Sequence, residues 1–236
     1  VRIQNNLSSN YVVNVYGSLD FSDRIIGGTG TFNLLSEGKL KTSGTGGVNG
    51  CINTVNKSFA PDSDYEFNGT SPQVTGALLN VCRNLRVNNS SGLVLSAPLS
   101  VSGALELASG KVFTQSYDLT LTASGLLSGA GASAYISTSG TGVLKKLGLQ
   151  SGVDFVFPVG NGTYTPVTIN YTGIADDFSV RTLDTVDLPI YGSAYVKKKW
   201  IVYEGTPGGT NASLTFQWNS SEHNTGFNPD GTVYAG

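Results

Sequence analysis

Apolar and polar residues alternate in short runs through the middle of the chain, and the runs return at a fixed interval. Tyr65-Glu66-Phe67-Asn68, Leu85-Arg86-Val87-Asn88 and Leu105-Glu106-Leu107-Ala108 recur at a constant interval of 20. A second series, Leu79-Asn80-Val81, Leu99-Ser100-Val101 and Leu119-Thr120-Leu121, keeps the same interval. Apolar, polar, apolar is the signature of a strand whose flanking side chains face a core and whose middle one faces water. Between the runs lie the turn clusters Asn88-Asn89-Ser90-Ser91-Gly92, Ser102-Gly103 and Ala108-Ser109-Gly110, rich in residues that tolerate sharp or left-handed backbone. Several short strands and turns within each interval describe one coil of a β-solenoid. In such a stack the coils lie about 4.8 Å apart, and each buries its apolar face only against its neighbours. The expected inward ladder is therefore Leu79, Val81, Leu85, Val87, Leu99, Val101, Leu105, Leu107, Leu119 and Leu121.

The outward column of the first series tests this register without reference to hydrophobicity. It reads Glu66, Arg86, Glu106, a charge ladder of alternating sign. Opposite charges on adjacent strands are favourable by roughly 0.2–1 kcal/mol per pair, and like charges are unfavourable. The repeat is clearest over residues 65–124; Tyr11 to Tyr16 and Gly30 to Leu35 read as strands of irregular earlier coils, and Ala134-Tyr135-Ile136-Ser137 with Gly142-Val143-Leu144 as a looser last one. From about Val153 the strands lengthen: Phe155 to Gly160, a two-residue Asn161-Gly162 turn, Tyr164 to Tyr171, Phe178 to Val180, Val196 to Tyr203 and Leu214 to Trp218. Asn-Gly between alternating runs marks a hairpin, and the set predicts an antiparallel β-sandwich of Ig-like kind. The expected organisation is all-β, with a solenoid over 1–150 and a sandwich module over 151–236 that the chain cuts short.

Composition narrows the function classes. Of 236 residues only 13% are charged and 31 are glycine, while 39% are hydrophobic, which suits a folded β-rich chain rather than a disordered one. Fourteen basic against sixteen acidic residues give no basic footprint for nucleic acid, and no apolar run has the length of a membrane span. Lys197-Lys198-Lys199 precedes Trp200-Ile201-Val202-Tyr203, where strand alternation sets at least one lysine on a solvated face. The two cysteines, Cys51 and Cys82, match no zinc or CxxC spacing and are either one disulfide or two free thiols.

Candidate chemistry is sparse. Glu66 and Glu106 lie two rungs apart, roughly 9.6 Å, a separation that an inverting pair of carboxylates can have. Arg86 between them holds both ionised and denies the raised pKa that a general acid needs. Asp62-Ser63-Asp64 lacks the remaining ligands of a calcium loop, Asp176-Asp177 reads as a solvated turn, and His223, the one histidine, as a surface loop residue. The small polar columns Asn80, Ser100, Thr120 and Cys82, Ser102, Thr122 are too mixed for a regular threonine array. No catalytic, cofactor or metal site is expected.

Several stretches between about Tyr65 and Trp218 together resemble the large surface and secreted proteins of Bacteroidetes-type bacteria. They are Phe67-Asn68-Gly69-Thr70-Ser71-Pro72-Gln73, Leu85 to Gly92, Gly140-Thr141-Gly142-Val143-Leu144-Lys145-Lys146, Phe157-Pro158-Val159-Gly160 with Tyr164-Thr165-Pro166-Val167, and Phe216-Gln217-Trp218-Asn219. The resemblance implies a right-handed parallel β-helix-like region, export by the type IX route and a role in long adhesins or filaments. The sorting domain of that route is missing, as expected of an excerpt, and Asp184-Thr185-Val186 is similar to the O-glycosylation acceptor pattern of these bacteria. The expected function is a non-catalytic extracellular spacer or filament segment that meets identical copies or neighbouring modules of a longer chain. The rival expectations are a carbohydrate-binding adhesin tip with Tyr191, Tyr195 and Tyr203 stacking on surface glycan, and a polysaccharide-degrading β-helix enzyme.

Overall fold

A computed structural model describes residues 1–185 and 194–228. Nearly all of its regular structure is strand, arranged as a parallel β-solenoid with antiparallel sheets at its C-terminal end. Three faces carry the stack. The first face is a six-stranded parallel sheet of Ser18–Ser22, Lys39–Thr42, Asp64–Phe67, Asn84–Asn88, Ala104–Ser109 and Leu126–Ser128. The second face stacks Gln73–Val74, Leu93–Val94, Val112–Phe113, Ile136–Ser137 and Val159–Asn161 in parallel, and the antiparallel Thr163–Tyr164 closes it. The third face stacks Val81–Cys82, Leu99–Val101, Leu119–Leu121 and Leu144–Leu149 in parallel. Before residue 60 the chain instead shuttles between the first face and a four-stranded parallel sheet, in which Ile26–Leu34 lies between Leu7–Ser8 with Val12–Val15 on one edge and Ile52–Phe59 on the other.

Nine of the ten positions of the expected inward ladder are buried. Leu85 pairs with Leu105 and Val87 with Leu107, both columns extend to Tyr65 and Phe67, and none of the six is more than 2% exposed. Each fully buried leucine or valine contributes about 1.5–3 kcal/mol of transfer free energy, and stacking like on like makes the core continuous along the axis. The corners must let successive coils approach closely. At Gly110, φ is +81° and a Cβ would stand 1.8 Å from the Asn89 carbonyl oxygen, so only glycine fits. Beside it two buried carboxamides satisfy one another: Asn89 Nδ2 donates to Gln73 Oε1 at 2.9 Å, and Gln73 Nε2 donates to the carbonyls of Thr42 and Gly44 at 3.0 and 2.9 Å.

One member of the expected ladder is misplaced. Val81 is 37% exposed and pairs with Ser100, while Cys82, fully buried, pairs with Val101 and takes the inward position. The reason lies at the corner. Two residues, Arg83 and Asn84, separate Cys82 from Leu85, whereas three, Ser102 to Ala104, separate their partners Val101 and Leu105. The earlier coil is shorter there by a single position, which flips the face that each residue presents. Leu79 remains buried at 1%.

After Leu149 the chain adds one more parallel strand, Val159–Asn161 on the second face, and otherwise turns antiparallel without leaving the core. Asp176–Leu183 adds antiparallel to the Leu144–Leu149 strand, and Lys199–Glu204 adds to that, extending the third face. Phe155–Phe157, Val167–Gly173 and Thr210–Phe216 form a separate antiparallel three-stranded sheet. Val167, Ile169, Phe178 and Val180 belong to the same apolar cluster as the solenoid leucines, so the antiparallel strands seal its end.

The register makes a sharp prediction. Val87→Asp puts an unpaired carboxylate into a dry column and should cost at least about 3 kcal/mol or unfold the chain. Val81→Asp, on the outer face, should cost about 1 kcal/mol or less. Urea denaturation of both variants checks this, and equal losses would contradict the observed placement of Val81.

Candidate functional site

The most organised set of polar side chains lies on the outer surface of the first face. Strand pairing sets Arg2 beside Asp20, Asp20 beside Lys41, Lys41 beside Glu66, Glu66 beside Arg86, and Arg86 beside Glu106. Six consecutive rungs thus alternate in sign before the column ends at Ser128. The expected trio Glu66, Arg86 and Glu106 is the C-terminal half of this column. Arg2, Asp20 and Lys41 escape a search at the constant interval because the steps that link them to each other and to Glu66 are uneven, the last being the longest.

Glu66 is the hub. It is only 7% exposed although it points outward, because cations enclose it: Lys39 Nζ lies 2.6 Å from Oε2, Lys41 Nζ 3.3 Å and Arg86 Nε 3.9 Å from Oε1. Burial alone would push its carboxyl up, but the hydrogen bonds and charges of Lys39 and Lys41 outweigh this and hold it below the ordinary carboxylate range. Arg86 also donates to Glu106. Next to the hub, Arg83 pairs with Asp64 at 3.0 Å and with Glu37 at 2.9 Å. Asp64 is therefore spent on an ion pair, and Asp62 accepts from the Ser36 hydroxyl at 2.5 Å, so the Asp62-Ser63-Asp64 run serves the turn. A carboxylate held ionised among three cations is an electrostatic clamp, not an acid that gives up protons near neutrality.

Cys51 and Cys82 are both free thiols and both buried. Burial pushes each up to about 12, so both stay protonated and behave as small apolar side chains. Among the described residues no group of three or more His, Cys, Asp or Glu could hold a metal ion.

A second polar cluster lies in the antiparallel region and has no local sequence signature. In the Lys197-Lys198-Lys199 run, Lys197 is exposed as expected, but the Lys198 side chain is only 5% exposed. Its Nζ lies 2.9 Å from Glu222, donates to the Asn161 carbonyl at 2.8 Å and contacts Asp184. Glu222 also accepts from the Thr163 hydroxyl and, at 2.7 Å, from the Asn219 backbone N–H in a capping box. Burial lowers Lys198, but the two carboxylates more than reverse it and hold it charged; burial raises Glu222, but Asn219, Thr163 and Lys198 bring it below its ordinary range. The cluster ties four separated segments together. A second buried cation, Lys146, ends the column of Cys82, Val101 and Leu121, and its Nζ donates to the carbonyls of Thr122, Ala123 and Gly125 at 2.6, 2.8 and 3.0 Å.

Two open grooves lie in the C-terminal region. One, of about 460 Å³, runs between Leu127-Ser128 and Asp154-Phe155-Val156, with Tyr164 at its side. The other, of about 330 Å³, is lined by Phe216, Gln217, Trp218, Ser220 and His223. His223, expected on a surface loop, is half-buried here against Phe227 at 5.3 Å. Of the three tyrosines expected to stack on sugar, Tyr203 is 53% exposed, Tyr195 is half-buried, and Tyr191 lies outside the described residues.

The hub yields a pH prediction. Because the folded state depresses the Glu66 carboxyl, its stabilisation is complete above the carboxylate range and fades as pH falls through it. Glu66→Gln should cost about 1–2 kcal/mol at neutral pH, discounted for the half-exposed lysines. That difference should shrink as pH drops below about 4. Denaturation curves of the wild type and variant across pH measure it, and a pH-independent difference would contradict the clamp. No protein-family model, curated protein or solved structure matches this chain.

Proposed function

We propose that the chain is a non-catalytic, extracellular spacer segment of a large bacterial surface protein, of the kind that Bacteroidetes export by the type IX route. In this reading the right-handed solenoid is the strut, and the antiparallel strands after residue 151 begin an Ig-like sandwich that joins it to the next module or to another copy. The observation that carries the reading is the axial column of six alternating charges over an unbroken apolar core. Six steps between seven rungs of the first face, at about 4.8 Å each, make a strut of roughly 29 Å. Rungs are fastened to one another by backbone hydrogen bonds and by apolar contact inside, and between Lys41 and Glu106 also by ion pairs outside. Such a stack resists bending and extension because its elements share load in parallel.

A second reading is supported by the groove at Trp218. Its indole, Phe216 and His223 combine with the carboxamide of Gln217 and the hydroxyl of Ser220, and among the described residues no charged side chain lines it, a chemistry suited to a neutral sugar ring. Under that reading the module is an adhesin tip, and Trp218→Ala should abolish binding to a glycan array.

Antibodies to this segment, applied to intact producing cells and followed by negative-stain electron microscopy of the released protein, test the spacer. Surface labelling on elongated, multi-module particles is the expected result. Labelling only after lysis, or isolated compact particles that cleave polysaccharide, would contradict it.

A further inference from the structure

A sheet edge presents unpaired backbone groups, and proteins that must stay monomeric blunt such edges with short strands, charges, proline or bulges. Most edges among the described strands are treated in that way. Leu7–Ser8 and Thr163–Tyr164 are two residues each, Leu126–Ser128 is three, Ile52–Phe59 carries Lys57, and Lys199–Glu204 carries a charge at each end.

Thr210–Phe216 is different. It is seven residues long, Thr-Asn-Ala-Ser-Leu-Thr-Phe, with no charge, proline or glycine. It pairs residue for residue with Val167–Gly173 along its whole length without a bulge, and among the described strands it has no partner on its other side. Every residue from Asn211 to Thr215 is exposed. The core side of its sheet also stops short there: Ile169 and Tyr171 are at most 1% exposed, yet Leu214, paired with Ile169 on the same face, is 38% exposed and Ala212 beside Tyr171 is open.

We propose that this strand pairs antiparallel with the same strand of a second copy, about a two-fold axis through Ser213, to make one continuous six-stranded sheet. The strand is self-complementary in that register, which pairs every residue from Thr210 to Phe216. On the core side Leu214 meets the partner's Ala212 and the reciprocal pair forms, covering the apolar surface that one copy leaves open. On the outer side Asn211 meets the partner's Thr215, and the two Ser213 hydroxyls face each other. No like charges oppose across the axis, and the symmetry is the isologous kind that closes on a dimer and does not propagate. The pairing stands or falls independently of the spacer reading, since it depends on this strand and not on where the protein works.

Sedimentation velocity of the full chain over a micromolar concentration range tests it. The wild type is expected to dimerise. Ser213→Lys sets two lysines directly opposite each other and should weaken association by about fivefold or more, and Ser213→Glu should do the same. Position 213 is exposed, so circular dichroism of both variants should match the wild type, and an equimolar mixture should recover association as a heterodimer. A monomeric wild type, unchanged association of Ser213→Lys, or a mixture that stays monomeric would overturn the proposal.

Discussion

In-register parallel stacking sets the terms for everything else in this molecule. Each coil places its residues about 4.8 Å from their equivalents above and below, so every position is judged by what its neighbours in the column can accept. Inside, that means apolar on apolar, as in Tyr65, Leu85 and Leu105. Outside, it forbids repetition of a charge, and the column from Arg2 to Glu106 alternates as the rule demands. At the corners it forbids a side chain where backbones touch, which selects glycine at Gly110. A polar residue can enter the interior only if its neighbours satisfy it, as Asn89 and Gln73 do for each other.

Ending such a stack is a separate physical problem, because the last coil exposes both an apolar layer and a row of unpaired strands. Here three devices act together. The third face continues as antiparallel strands, Lys146 caps its inward column by donating to three carbonyls, and the Lys198–Glu222 pair fixes the 161–163 turn against the 219–222 segment. The antiparallel region is thereby packed on the solenoid through one apolar cluster.

The parts legible in the sequence are those where the coil length is constant. Between Tyr65 and Leu107 equivalent positions on the first face recur at one unchanging interval, so the ladder of Leu85, Val87, Leu105 and Leu107 and the charges of Glu66, Arg86 and Glu106 could be read directly. Where the coil gains or loses residues the reading fails in step with the change. The coil from Lys41 to Glu66 is longer than those that follow, and Val81 exchanges places with Cys82 because one corner is shorter. The Lys198, Glu222 and Thr163 cluster was illegible for another reason. Its members come from segments brought together only by the antiparallel sheets, and no spacing rule connects them. The strand run from Phe155 to Trp218 was visible as alternation, but alternation does not say which strands pair, and two of them extend the solenoid's own third face.

The stacking register is most directly tested by crosslinking across one rung. Ser100 and Thr120 are paired neighbours on the outer third face, and parallel neighbours about 4.8 Å apart fall within the Cα range of about 4.4–6.8 Å that a disulfide spans. Ser100→Cys with Thr120→Cys should therefore oxidise to a crosslinked chain. Ser100→Cys with Thr122→Cys, offset along the strand to about 8 Å, should remain reduced under the same conditions. Equal crosslinking of the two pairs, or a preference for the offset one, would contradict the stacked register.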